Sequence, residues 1–316
     1  LFFGDLFQLP PVVSSQEERE YFRTVYPSPY FFDAHIFKSH VHLVMIELTR
    51  VYRQRERNFI QLLDAIRTMQ FDYEELDSLN ERYLPDEPIE EPYLTLCSTN
   101  AAAQQINKDR LALLTTPSFY YSGEVKGDFN PKLFPTDYKL ELRLDGQVML
   151  IRNDPEKRFV NGSLARIVGL EEEKIIVSMT SDGGKSEVFE LPKMTWEVNK
   201  YTLSTDTDNP IKAEVIGSFI QYPVRLAWAV TIHKSQGMTL DRVHIDFDRG
   251  MFAHGQAYVA FSRCRSLEGL ELSRQLRPRD IIIDRSAFDF GGLETVSDTE
   301  HFLLAEMAKP QLDLKG

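Results

Sequence analysis

The run YLTLCSTN (93–100) followed by AAAQQINKDRLALL (101–114) is the stretch whose reading sets the architecture. Its first half is a short, mostly apolar run ended by Ser-Thr-Asn, which reads as a buried strand. Asn100 then offers a side-chain oxygen to cap the helix that follows. A strand, a tight turn and a helix make one unit of a parallel α/β layer.

Upstream, Phe59, Ile60, Leu62, Leu63, Ile66 and Met69 fall at helical spacing, predicting an amphipathic helix over 56–69. LFFGD (1–5) reads as a buried strand with no cap or leader before it, the expectation for a fragment that lacks its N-terminal part. Residues 14–30 read as a polar connector ending in YPSPY. Downstream the pattern changes near residue 146. QVMLIRN (147–153), LARIVGL (164–170), KIIVSM (174–179) and EVFEL (187–191) are short β-rich runs. Turn signals at Asn161-Gly162, Glu171–Glu173 and Ser181–Gly184 separate them, which predicts a small β-barrel inserted in the α/β domain. After Tyr222 the α/β character returns. VRLAWAVTIHKSQG (224–237) reads as a helix ended by Gly237, RVHIDF (242–247) as a strand and GQAYVAFSR (255–263) as a helix.

Composition narrows the function classes. The 316 residues are 42% apolar and 27% charged, the balance of a folded globular protein rather than a disordered tail. No apolar run approaches the roughly 18 residues of a membrane helix, and no basic-then-apolar leader is seen, so no membrane partner is expected. Cys97 and Cys264 alone give neither metal spacing nor a disulfide framework, so no metal site is expected, and the pair suits a reducing cytoplasm. A net charge of −12 argues against coating nucleic acid with the whole surface. The charge is uneven, however. Residues 72–91 hold nine acids and one arginine, whereas 225–279 hold nine Lys/Arg and five acids, and 50–67 five arginines and two acids. The basic stretches can form a local anion-binding surface or simply solvated faces.

Gly183-Gly184-Lys185-Ser186 is a decoy. A phosphate-binding P-loop needs glycine five residues before the Gly of Gly-Lys, where Met179 stands, and the segment falls in a predicted hairpin. Four other segments carry stronger signals. FGDLFQLPPV (3–12) places Gln8 before a rigid Leu-Pro-Pro, where its amide can meet a terminal phosphate or an attacking water, or simply end a strand. ELTRVYRQ (47–54) sets Arg53 just before the amphipathic helix, as a phosphate-reaching fork or a surface ion pair. AWAVTIHKSQGMTLD (227–241) crowds Thr231, His233, Lys234, Ser235 and Gln236 beside Gly237, donors suited to phosphates at a position open to close backbone approach. AYVAFSRCRSLEGL (257–270) offers Arg263 after an apolar helical stretch, with Arg265 nearby.

In this order the segments resemble the superfamily 1B DNA helicases of the PIF (petite integration frequency) and RecD-like type. GDLFQLPPV resembles helicase motif III, LTRVYRQ motif IV, TIHKSQGMTLD motif V and QAYVAFSRCRSLEGL motif VI. FVNGSLARIVGL (159–170) resembles the start of the small Src-homology-3-like barrel of that family, with Ala165 where many relatives carry glycine. The resemblance implies an α/β fold. Residues 1–35 would be the remnant of a first RecA-like domain, 36–145 with 223–316 a second RecA-like P-loop-NTPase-type motor domain, and 146–222 the inserted barrel. It implies ATP and Mg²⁺ as cofactors of the full-length parent, with the P-loop and Mg²⁺ carboxylates on the missing N-terminal RecA-like domain, so that these residues alone hold neither and are inactive. Gln8 would sense the γ-phosphate, Arg53 and Arg263 would act as arginine fingers, and Gly237 and Thr239 would border the nucleotide. Thr99, Asn100, Thr231, His233, Lys234 and Ser235 would face single-stranded DNA. Partners would be single-stranded DNA and a forked duplex, bound by a monomer moving 5′ to 3′. The alternative is a non-motor nucleic-acid-binding subunit of a RecD-like repair or nuclease complex.

Overall fold

The computed structural model describes residues 2–13, 15–38, 45–85, 93–180, 185–203, 211–247, 250–291 and 295–297. The turn expected at 181–184, the end of the acidic run and the chain beyond 297 lie outside the described residues. The chain divides into two units, one of Leu1–Tyr93 with Ile232–Gly316 and one of Leu94–Thr231.

In the second unit the opening stretch folds as its sequence dictates. Strand Leu94–Cys97 is buried along its whole length and pairs in parallel with Ala229–Thr231, Leu96 facing Val230. Helix Asn100–Leu113 returns over the pair. Its Asn107 locks on by a two-way amide bond, donating to the Ala229 carbonyl at 2.8 Å and accepting from the Ala229 N–H at 2.9 Å. The helix cap is not Asn100 but Thr99, whose extended backbone leaves its hydroxyl free to accept from Ala102 N–H, while Asn100 is already helical.

The remaining strands of this unit are antiparallel. Five follow the spatial order Val224–Leu226, Gln147–Leu150, Leu164–Glu171, Lys174–Thr180, Ser186–Glu190, and the long pair Met194–Leu203 and Ile211–Gln221 carries Glu124–Gly127 on its outer edge. Alternating inward residues (Val148, Leu150, Ala165, Ile167, Ile175, Val177) build the core with Tyr121, Phe159 and Tyr222. Thr180 pairs with Ser186, so the Gly-Lys-Ser decoy ends on a strand and not on a helix start.

In the first unit, helix Arg57–Thr68 buries Phe59, Leu62, Leu63 and Ile66 and ends in left-handed Met69. It packs on helix Gln256–Ser262, whose Ala257, Val259, Ala260 and Phe261 are all buried. Strands Val243–Asp246 and Leu270–Leu272 run parallel.

Three expectations are corrected. LFFGD forms no strand among its described residues: Phe2 and Phe3 are 68% and 85% exposed, because aromatic content favours a strand only where a partner and a covering layer exist. The connector at 14–30 contains a helix, Gln16–Val25, started by a capping box between Ser15 and Glu18. It buries no residue. Residues 224–237 are not a helix. They are strands Val224–Leu226 and Ala229–Thr231 and a 3₁₀ turn at Ile232–Ser235, and Gly237 follows at φ 81°. An apolar run this short, rich in Val, Thr and Ile, satisfies either period, and the parallel partner decides for strand.

Candidate nucleotide and strand site

Arginine 263 is held at the end of a short buried helix. The helix begins at left-handed Gly255 (φ 67°), and the fully buried Gln256 side chain accepts from the N–H groups of Phe252 and Ala253. Arg263 is 2% exposed. Its Nε donates to Val259 O at 3.0 Å, Nη2 to Ser262 Oγ at 2.8 Å and Nη1 to Met238 O at 3.5 Å. Arg53 reaches the same place from the loop before helix Arg57–Thr68, donating from Nε to Thr239 Oγ1 at 3.0 Å and from Nη1 to Ser262 O at 2.8 Å. Among the described residues neither arginine has a carboxylate in ion-pair range. Burial, and then the positive charge of Arg53, push the Arg263 guanidinium down to about 10, which leaves it cationic at neutral pH. Burial likewise lowers Arg53. Two desolvated cations held only by neutral acceptors form a donor set that fits a phosphate group. Thr239 and Gly237 beside them are exposed, and a Cβ on Gly237 would meet nothing within 4 Å.

Gln8 sits on the turn Asp5–Gln8, which docks on the start of the Arg263 helix. A Cβ on Gly255 would lie 2.2 Å from Phe7 O and 2.7 Å from Gln8 O, so only glycine fits both this contact and the positive φ. His254 binds the turn as well, with Nε2 2.8 Å from Leu6 O and Nδ1 accepting from Asp284 N–H at 2.7 Å. Asp5 gathers the Phe7 N–H at 3.0 Å, the Gln8 amide at 3.5 Å and the Tyr258 hydroxyl, and Arg67 lies 3.8 Å away, stacked on Phe7. Burial, reinforced by the Asp5 charge, pushes the Tyr258 phenol up to about 12. The first unit thus brings Arg53, Thr239 and Arg263 together at the end of the Arg263 helix, whereas Gln8 docks at its start.

The residues expected to face a strand lie in both units. In the second, Asn100 is exposed, Thr99 is half-buried with its hydroxyl engaged as a cap, and Thr231 is buried. In the first, Lys234 is exposed, and His233 is half-buried, its pKa lowered by burial, so that it is neutral at pH 7. Ser235 is fully buried and donates to Ile232 O at 2.8 Å. Its hydroxyl braces the turn that presents Lys234. Arg265 is paired with Asp241 at 3.0 Å, a surface contact. Sequence reasoning missed Gln54, Gly255 and Ser262. Gln54 adjoins Arg53 in the motif, but the burial that makes it matter depends on residues 208 and 210 positions away.

No family model matches the chain. Human "ATP-dependent DNA helicase PIF1" is 34% identical over 281 residues, covering 85% of this chain and 39% of the relative. The structure titled "Crystal structure of Bacteroides Pif1 bound to ssDNA" matches with a TM-score of 0.70 at 38% identity, over 91% of this chain and 65% of that one. Bacteroides Pif1 in complex with ADP-AlF4 matches with a TM-score of 0.74 at 38% identity, over 92% and 65%. The chain spans about two-fifths to three-fifths of the length of the curated relatives it matches. Its mixed α/β fold with parallel strands is that of a RecA-like domain. The chain belongs to the PIF-type superfamily 1B DNA helicases.

Proposed function

We propose that the chain is the second motor domain, with a remnant of the first, of an ATP-dependent helicase that moves 5′ to 3′ along single-stranded DNA and opens forked duplexes as a monomer. The observation that carries this reading is the pair of half-buried Arg53 and buried Arg263, which meet at Ser262 without an acid partner in ion-pair range among the described residues. The names of the relatives, which include helicases and structures with single-stranded DNA and ADP-AlF4, support it. The proposed limits are 1–35 for the remnant, 36–145 with 223–316 for the motor domain and 146–222 for a Src-homology-3-like barrel.

ATP with Mg²⁺ supplies the hydrolysable phosphoanhydride. Arg53 and Arg263 would stabilise charge developing on the transferred phosphoryl group with their planar donors. Gln8 would orient the attacking water or report the terminal phosphate, and Gly237 and Thr239 would border the nucleotide. Residues 1–316 contain no GxxxxGK[ST] segment, and no acid cluster suited to a metal occurs among the described residues. As the family resemblance implies, the P-loop and the metal carboxylates would lie on another RecA-like domain of the full-length protein, and residues 1–316 alone would not turn over ATP. In the second unit Thr99, Asn100 and Thr231, and in the first unit His233, Lys234 and Ser235, would each contribute to strand-phosphate contacts that do not read sequence.

Phosphate release by the full-length protein and by residues 1–316, with and without single-stranded DNA, tests the assignment. DNA-stimulated turnover is expected from the former and none from the latter. Turnover by residues 1–316, or unwinding that needs a 3′ rather than a 5′ tail on a forked substrate, would overturn the corresponding part.

A further inference from the structure

Gln54 has no part in that chemistry, yet its amide is buried and doubly bonded beside the two arginines. It is 6% exposed, and its Nε2 donates to Ser262 O at 3.1 Å and to Cys264 O at 2.7 Å. These are the carbonyls on either side of Arg263, so one amide fixes the backbone on both sides of the residue that carries the buried guanidinium. Ser262 also receives Arg263 Nη2 on its hydroxyl, which in turn donates to Val259 O. The orientation of the Arg263 head therefore follows the orientation of these two peptides.

The Ser262 carbonyl has a second role. It accepts from Gln54 and from Arg53 Nη1 together, which uses both of its lone pairs. If Arg53 turns towards a phosphate oxygen, it leaves this carbonyl, and Gln54 keeps the buried oxygen satisfied. Without Gln54, Arg53 would be the sole donor of the pair, and its departure would strand a buried acceptor.

We infer that Gln54 is a positioning residue that aims Arg263 through the flanking carbonyls and frees Arg53 to leave Ser262. The inference rests on the reading of the two arginines as fingers. The motif IV segment would then do more than supply an arginine: it would tie that arginine to the motif VI one.

The test uses the full-length protein with Gln54→Met, which keeps the length and removes the donors. DNA-stimulated kcat is expected to fall on the order of 10- to 100-fold, the scale of a misplaced catalytic group, with KM for ATP and single-strand affinity unchanged. In an Arg263→Ala background the same change should cost less than in wild type, since the part that acts through Arg263 is gone and only the effect on Arg53 remains. Unchanged kcat, or a loss that multiplies in full onto Arg263→Ala, overturns the inference. So does a lower melting temperature with normal kcat per folded molecule. Should Gln54→Met fail to fold, Gln54→Asn, whose amide is too short to span both carbonyls, carries the same comparison. Normal Gln54→Met turnover beside a crippled Arg263→Ala defeats this inference alone, whereas normal turnover of Arg263→Ala defeats the finger reading beneath it.

Discussion

Two arginine corners of the first unit are built from similar parts to opposite effect. At one, Arg274 grips Asp280 with two bonds of 2.8 Å and lies over the Phe247 ring. Burial alone would raise the Asp280 carboxyl, but the bonds from Arg274 and from the Arg277 N–H hold it below the usual carboxylate range, and Arg274 is raised in return. At the other, Arg263 and Arg53 meet carbonyls and hydroxyls only, and both are lowered. A paired arginine stabilises the fold. A buried arginine left with neutral acceptors keeps its charge uncompensated, and that is the ground on which Arg263 is proposed to meet a phosphate.

The widest difference is expected in turnover. In the full-length protein Arg263→Ala should lower DNA-stimulated kcat roughly 10³-fold or more while nucleotide still binds, and Arg53→Ala should behave alike. Near-normal kcat in either variant would make that arginine structural and erase the contrast. Arg274→Ala should leave kcat per folded molecule intact but strip the nearly buried Asp280 of its main partner, at a cost of about 3 kcal/mol in denaturant titration. A loss within experimental error would show that solvent replaces the pair.

Acid sharpens the comparison further. Because the folded Asp280 carboxyl is held low, its contribution is present above the unfolded carboxylate range, about pH 4, and is lost as pH falls through the folded value. In Arg274→Ala burial dominates, the carboxyl moves up, and acid should relieve the variant. The stability gap between wild type and variant should therefore narrow from pH 7 to about pH 3. A constant gap would assign the loss to packing against Phe247.

The smallest expected effect lies on the strand side. Lys234→Ala in the full-length protein should reduce the slope of log affinity against log salt by roughly 0.7, the value of one single-strand phosphate contact, about equally for all sequences. An unchanged slope by anisotropy would remove Lys234 from the strand contacts.

The sequence showed its regular parts where burial imposes a period. Helix Arg57–Thr68 and strand Leu94–Cys97 were visible because one stripe or one whole run is apolar. Helix Gln16–Val25 was not, although its Ser15…Glu18 capping box stands in the letters, because none of its residues is buried. Of the site, Arg53 and Arg263 stood out through their motifs, whereas Gln54 has no local signal: its acceptors are set by the path of residues 262–264. Ser235 shows the reverse case, a motif hydroxyl that the fold turns inward onto Ile232.

His254 carries one further consequence. A backbone N–H can only donate, so the bond from Asp284 fixes Nδ1 as an acceptor and places the single ring proton on Nε2, where it donates to Leu6. One tautomer of one imidazole thus joins the turn that holds Gln8 to the start of the Arg263 helix. Selective nitrogen labelling of that ring gives a spectroscopic gauge of the junction: the tautomer signature would persist while the turn is seated and collapse towards the solution mixture when it lifts away.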